Sequence, residues 1–127
     1  MITAEQVEGF AVISGDHNPL HMNDAFARAA GFRGRVVHGM VTASLVSFLI
    51  GMRMPGPGAL WLNQELRWLA PVFIGDKIDV ELKVMKISPG TRTVKLHVMA
   101  CNQDGKKVMD GSGLVKVLEV RHGHGQY

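Results

Sequence analysis

Across its 127 residues the chain carries a single cysteine, Cys101, and charged residues make up only 20%. One thiol permits no internal disulfide, which suits a reducing compartment and makes the cytoplasm the expected location. No apolar run reaches the roughly 18 residues that a membrane span needs. The longest, Met40 to Met52, is interrupted by Thr42, Ser44 and Ser47 and reads as a buried core helix. No basic region followed by a hydrophobic block opens the chain, so no signal peptide is expected. The net charge of +3 comes from scattered cations, with no run beyond Lys106-Lys107. Nucleic-acid binding needs such residues gathered on one face, so neither nucleic acid nor membrane is an expected partner. Also missing are the nucleophile elbow, the Walker loop and the dinucleotide fingerprint. Cys101 falls mid-strand with no helix start beside it, which argues against a thiolate nucleophile.

What is present is a globular composition, 46% hydrophobic, in a chain long enough for one domain with one packed core. Thr3-Ala4-Glu5-Gln6 has the capping-box pattern, so a helix begins near Ala4, with Val7, Phe10, Ala11 and Ile13 or Ser14 facing inward. Gly15 ends it. Asn23 or Asp24 caps a short helix through Ala30, stopped by Gly31. A long helix runs from Gly39 to about Met52, apolar nearly all round, with Val41, Leu45, Phe48, Leu49 and Met52 on one side. Two prolines and two glycines make Met54 to Gly58 a loop.

The second half changes period. Ala59 to Leu69, Lys77 to Ile87, Thr91 to Asn102 and Lys106 to Val120 alternate as strands, and Ile78, Val80, Leu82 and Val84 share one face. Pro89-Gly90 and Asp104-Gly105 are hairpin turns. A sheet apolar on one face needs a cover, and the helix after Gly39 is the one apolar enough to supply it. The expected architecture is α+β, an antiparallel sheet wrapped around a long central helix in the hotdog manner. One domain over 1–120 is followed by a Gly/His-rich tail, 121–127, expected to fray.

Chemistry concentrates in two stretches. Ser14-Gly15-Asp16-His17-Asn18-Pro19-Leu20-His21 sets a carboxylate and an imidazole five residues apart across an Asn-Pro turn. An imidazole is the better base near neutrality. Sharing one water, the two groups would take its proton and return one to a substrate carbon, assistance worth ~10²–10⁴-fold. Pro19 forbids a regular helix between them, so one turn aims both side chains, with Asn18 orienting the Asp or fixing the turn. Taken alone, the pair reads more simply as a helix C-cap aspartate and a surface histidine.

His17 and His21 have the i, i+4 spacing of a helical zinc site, with His38 as a third imidazole. Pro19 inside that would-be turn argues against it, as does the lack of a Cys cluster or a His-Glu-x-x-His pattern. No metal and no cofactor are expected. Arg35-Val36-Val37-His38-Gly39-Met40 opens the long helix, whose first N–H groups are unpaired and carry a partial positive charge. Glycine at position 39 lets a thioester oxygen approach that backbone closely; a tight loop-to-helix entry explains it equally well. His38 caps the helix or packs the site. Ser47 either bonds back to the preceding turn or holds the Asp16 loop or the water.

Phe10, then Ser14 to His21, then Ala27 closely resembles the hydratase-2 motif of the MaoC-like (R)-specific enoyl-CoA hydratases. Val37 to Leu45 and Pro71-Val72-Phe73-Ile74-Gly75-Asp76 look like that family's central helix entry and strand junction, so the likeness spans nearly the whole chain. It implies reversible syn-hydration of a trans-2-enoyl thioester to the (R)-3-hydroxyacyl thioester. Carried over by position, Asp16 and His21 activate the water, Asn18 supports their loop and Ser47 matches a helix serine important in relatives. The Gly39 amide polarises the thioester carbonyl, with His38 and Met40 beside it in the substrate site. The implied partners are an acyl-CoA, or an acyl-carrier-protein, thioester and a second copy of the chain, as a homodimer or dimer of dimers. Family members usually carry a further strand before the first helix. Here the cap comes at Thr3, which leaves acyl-chain length and assembly open.

Three rival readings use the same residues. A 3-hydroxyacyl-carrier-protein dehydratase differs only in carrier, recognised through cations such as Arg28, Arg33, Arg35 and Arg53. A thioesterase would release free thiol, whereas a water held by Asp16 and His21 aims at the β-carbon. A non-catalytic acyl-CoA-binding subunit would bind the thioester without turnover.

Overall fold

The computed structural model of the chain describes residues 1–119; the expected tail, 121–127, and the last residue of the fourth expected strand lie outside them. Helix α1 (Ala4–Ser14) begins at Thr3, whose hydroxyl accepts from the Gln6 N–H while the Gln6 side chain accepts from the Thr3 N–H, and closes on Gly15 at φ 76°. Its inward face is Val7 and Ala11. Ile13, expected inside, is 85% exposed, because at 100° per residue it falls on the opposite side from Val7 and Ala11.

Pro19 does not forbid a helix here. It is the first residue of a one-turn helix, α2 (Pro19–Met22), capped by the Asn18 side chain. At that position the missing proline N–H is one that no helix would have paired. Asn23 then caps α3 (Asp24–Ala29) through the Phe26 N–H.

Helix α4 (Gly39–Met52) buries Val41, Thr42, Ala43, Val46 and Ile50. The expected side of Val41, Leu45, Phe48, Leu49 and Met52 is only partly correct, since Phe48 and Met52 are 53% and 60% exposed in the single chain. An all-round apolar helix gives no phase signal, so the buried face was not legible from periodicity.

Strands β1 (Ala59–Trp68), β2 (Asp79–Ser88), β3 (Thr93–Cys101) and β4 (Lys107–Val117) form one antiparallel sheet in the order β1-β4-β3-β2. The sheet wraps α4, and Leu96, Val98, Ala100, Val108, Met109 and Val115 join the helix's buried face in one core. This is the hotdog arrangement. The alternation in β2 fails after Leu82: a bulge between Val84 and Lys86 shifts the register against β3, and Val84 and Ile87 emerge to solvent. Val36 bridges to Phe73, and the Val37 N–H donates to the Val72 carbonyl (2.8 Å), tying the segment before α4 to the β1–β2 connection. No described helix is long and apolar enough to cross a membrane.

Across β1 and β4, Arg67 forks onto Asp110 at 2.9 and 2.8 Å. That hydrogen-bonded pairing holds the Asp110 carboxyl below its ordinary value. A carboxyl depressed in the folded state stabilises above the unfolded carboxylate range, and the contribution is lost as pH falls through the folded value. Asp110→Asn should therefore melt slightly below the wild type at neutral pH, with the gap closing in acid; thermal unfolding across that range checks it.

Candidate active site

Asp16 is held at three points by its own neighbourhood. Its N–H donates to Ser14 Oγ (3.0 Å), its Oδ1 accepts from the Asn18 N–H (3.1 Å) and its carbonyl accepts from His38 Nε2 (3.0 Å). Among the described residues nothing hydrogen-bonds Oδ2, which faces His21 Nε2 at 3.8 Å. Asn18 thus orients the carboxylate through its backbone, while its side chain accepts from the Leu20 N–H (3.0 Å) and starts α2. The loop is a rigid bracket, although the Asp16 side chain itself is 48% exposed in the single chain.

His21 leaves α2 toward the chain entering α4. Its Nδ1 lies 2.7 Å from the Val36 carbonyl; a carbonyl only accepts, so Nδ1 carries a proton, and in the neutral ring Nε2 presents the lone pair. The Arg35 Nε donates to the His21 carbonyl (2.7 Å), which fixes the backbone under the ring. Two acceptors, Nε2 and Oδ2, therefore face each other across a gap that one water can bridge. A water donating two hydrogen bonds of about 2.8 Å satisfies both.

His38 stands immediately before α4 and is 2% exposed. Its ring stacks on His21, centroids 3.9 Å apart at 28°, and packs against Phe10 on its other side. Nε2 donates to the Asp16 carbonyl, and Nδ1 is buried without a partner among the described residues. His38 thus bonds the aspartate's backbone and supports the histidine's ring.

Gly39 and Met40 are the first two residues of α4, and among the described residues nothing accepts from their N–H groups; the first to find a partner is that of Val41, bonded to the His38 carbonyl. These are the unpaired amides of a helix start. The Trp68 indole lies directly on Gly39: its Nε1 donates to the Gly39 carbonyl (2.9 Å), and a Cβ at position 39 would sit 2.6 Å from that nitrogen. This neighbour by itself requires glycine at position 39. Nothing in the sequence linked Trp68 to Gly39, or Val36 to His21. A glycine at the first position of a helix was the only available sign that something lies close.

A cavity of about 600 Å³ brings His21, Gly39 and Met40 together with Phe32, Thr42 and Trp68. Ser47 is not among these residues. It lines a second cavity of about 540 Å³, along α4 with Phe10, Ala43 and Trp61. The hydroxyl that bonds back on this helix is that of Ser44, to the Val41 carbonyl (2.6 Å). His17 stays in the exposed loop with its ring near the Gly15 carbonyl, apart from the cluster of Asp16, His21 and His38. Asp16, His21 and His38 do approach, with one ligand atom from each within 4.8 Å of the others.

Comparisons with known proteins agree in direction. Residues 1–103 match the family described as MaoC like domain. A 3-hydroxybutyryl-CoA dehydratase of Methylorubrum extorquens is 42% identical over 116 residues, 91% of this chain and 73% of that one. An (R)-specific enoyl-CoA hydratase of Aeromonas caviae is 38% identical over 114 residues, 90% of this chain and 85% of that one. A solved (R)-hydratase from A. caviae, involved in PHA biosynthesis, superposes with a TM-score of 0.88 at 37% identity, covering 92% of this chain and 89% of the other.

Proposed function

The chain belongs to the MaoC-like domain family, and from that membership we propose that it interconverts trans-2-enoyl-CoA and (R)-3-hydroxyacyl-CoA by reversible syn-addition of water. The observation that carries this reading is the pair of free acceptors, Asp16 Oδ2 and His21 Nε2, 3.8 Å apart beside the open amides of a helix start. In the hydration direction the bridging water gives a proton to the pair as its oxygen bonds to the β-carbon. The electron pair of the carbon–carbon double bond moves toward the thioester, whose oxygen takes up negative charge against the Gly39 N–H. The proton held by the pair then returns to the α-carbon, which completes the addition of one water. Oxygen and hydrogen come from one side of the substrate, so both add to the same face.

Met40 flanks this substrate, while His38, expected beside it, does not line the cavity and stands behind His21. His38→Phe keeps a ring on His21 but removes the N–H that holds the Asp16 carbonyl. One net hydrogen bond is worth about 1 kcal/mol, so kcat for crotonyl-CoA should fall about fivefold, as steady-state kinetics would show.

The chain also pairs with a second copy of itself, a reading supported by the exposed apolar side chains of α4 and of the sheet edge β1, among them Phe48, Met52, Leu60 and Leu62. Sedimentation velocity showing a monomer at micromolar concentration would remove it.

The decisive assay offers crotonyl-CoA to the purified protein. Enoyl absorbance should disappear without release of free thiol, and chiral analysis should return the (R)-3-hydroxy product. Unchanged absorbance would leave only thioester binding, and released thiol would make the protein a thioesterase. The same enoyl group on a carrier protein, run in parallel, identifies the preferred carrier.

A further inference from the structure

Helix α2 carries His21 and cannot hold it alone. It is a single turn of four residues, and a helix that short has no stability of its own in water. Its last carbonyls find no partner within the helix. Those of Leu20 and His21 are taken by one neighbouring segment: the Val36 N–H donates to the Leu20 carbonyl (3.1 Å), and the Arg35 Nε to that of His21 (2.7 Å). The return bond runs through the ring, from His21 Nδ1 to the Val36 carbonyl (2.7 Å). These bonds close a bracket between residues 20–21 and 35–36, to which Arg35 alone, besides His21 itself, contributes a side chain. Arg35 is anchored in turn by its own N–H, which donates to Asp24 Oδ1 (2.9 Å) at the start of α3. Its side chain is 15% exposed, with Glu8 of α1 3.9 Å from Nη1, too far for a hydrogen bond. Nη2 is buried without a partner among the described residues. Burying a charge with so little to neutralise it is costly, so the contact with Glu8 does not explain why an arginine stands here. The cap on α2 does, because an arginine can satisfy the last carbonyls of a helix and favour its negative end.

Resting on the hydratase reading, we infer that Arg35 is a positioning residue for the reaction, capping the one-turn helix under His21 so that Nδ1 stays on the Val36 carbonyl and Nε2 stays toward Asp16. Arg35 is not a wall of the cavity that holds His21 and Gly39, so it acts through His21 and not on the substrate. Without the cap, the His21 carbonyl is left unpaired beneath the ring and the turn is free to rotate away from Val36. The bond that selects the tautomer is then lost. A neutral ring with its proton on Nε2 has no lone pair to offer the water.

Two variants of matched reach test this. Arg35→Gln sets an amide nitrogen as many bonds from the backbone as Nε, able to donate to the same carbonyl, whereas Arg35→Met sets a methyl there. Arg35→Met should lower kcat for crotonyl-CoA at least about tenfold with KM little changed, since a misplacement of about 1 Å can cost on the order of 10²-fold. Arg35→Gln should keep most of the wild-type kcat. Proton–nitrogen correlation spectra of the histidine rings, recorded where His21 is neutral, should show the Nδ1–H tautomer in the wild type and in Arg35→Gln, and a mixture in Arg35→Met. Wild-type kcat in Arg35→Met, a lowered kcat there with the tautomer unchanged, or an equal loss in both variants overturns the inference. If Arg35→Met does not fold, Arg35→Gln decides alone: wild-type turnover and tautomer uphold the cap, and a large loss with mixed tautomers overturns it. A wild type without hydration, together with tautomers that mix in Arg35→Met, would instead overturn the hydratase reading and leave the cap on His21 standing.

Discussion

Asp16→Asn and His21→Ala should each lower kcat for crotonyl-CoA hydration by about 10²–10⁴-fold, the range for a positioned acid–base group, while the far-ultraviolet circular dichroism should stay that of the wild type. Asparagine at position 16 keeps an oxygen for the Asn18 N–H and leaves the backbone bonds to Ser14 and His38 in place. What changes is the atom facing His21, which becomes an NH₂ that cannot accept from the bridging water. His21→Ala removes the other acceptor and unstacks His38, so its melting temperature should drop as well. The double variant should be little slower than either single one, because the two groups share one water and act as a unit. Additive losses in the double variant would mean that they serve separate steps. Activity within threefold of wild type for Asp16→Asn would remove the dyad altogether.

Gly39→Ala should cost about 10²–10³-fold in kcat, comparable to removing a donor to a developing oxyanion in other enzymes. The physical cause is specific. A Cβ there would lie 2.6 Å from Trp68 Nε1 and 2.7 Å from Cε2, so either the indole or the first turn of α4 must move. Overpacking of this kind typically costs about 1–3 kcal/mol of stability, which thermal unfolding will register. If the collision with Trp68 is the cause, Trp68→Leu should recover part of both losses in the Gly39→Ala background, a coupling that a double-mutant cycle measures. No recovery would mean that the new methyl obstructs the thioester itself.

Much of this protein was legible in local pattern. The capping box at Thr3 and the stop at Gly15 depend on residues three or four apart, and the four strands follow from period-two alternation and turn residues between them. The limits were equally physical. Pro19 was expected to break a helix and instead starts one, since the first helical position needs no N–H. The face that α4 buries was not readable because a helix apolar all round carries no phase, and Ile13 shows that a hydrophobic residue at the end of a helix need not turn inward.

The sequence by itself determined the elements, their order and the residue types of one loop and one helix start, because those depend on near neighbours along the chain. Tertiary structure alone decided the tautomer of His21, through a carbonyl 15 residues away, and the tie between His38 and the Asp16 backbone, 22 residues apart. It also laid Trp68 on Gly39 across 29 residues and left Ser47 in a separate cavity. Such contacts depend on how a sheet closes around a helix, and that closure is set by the packing of the whole core.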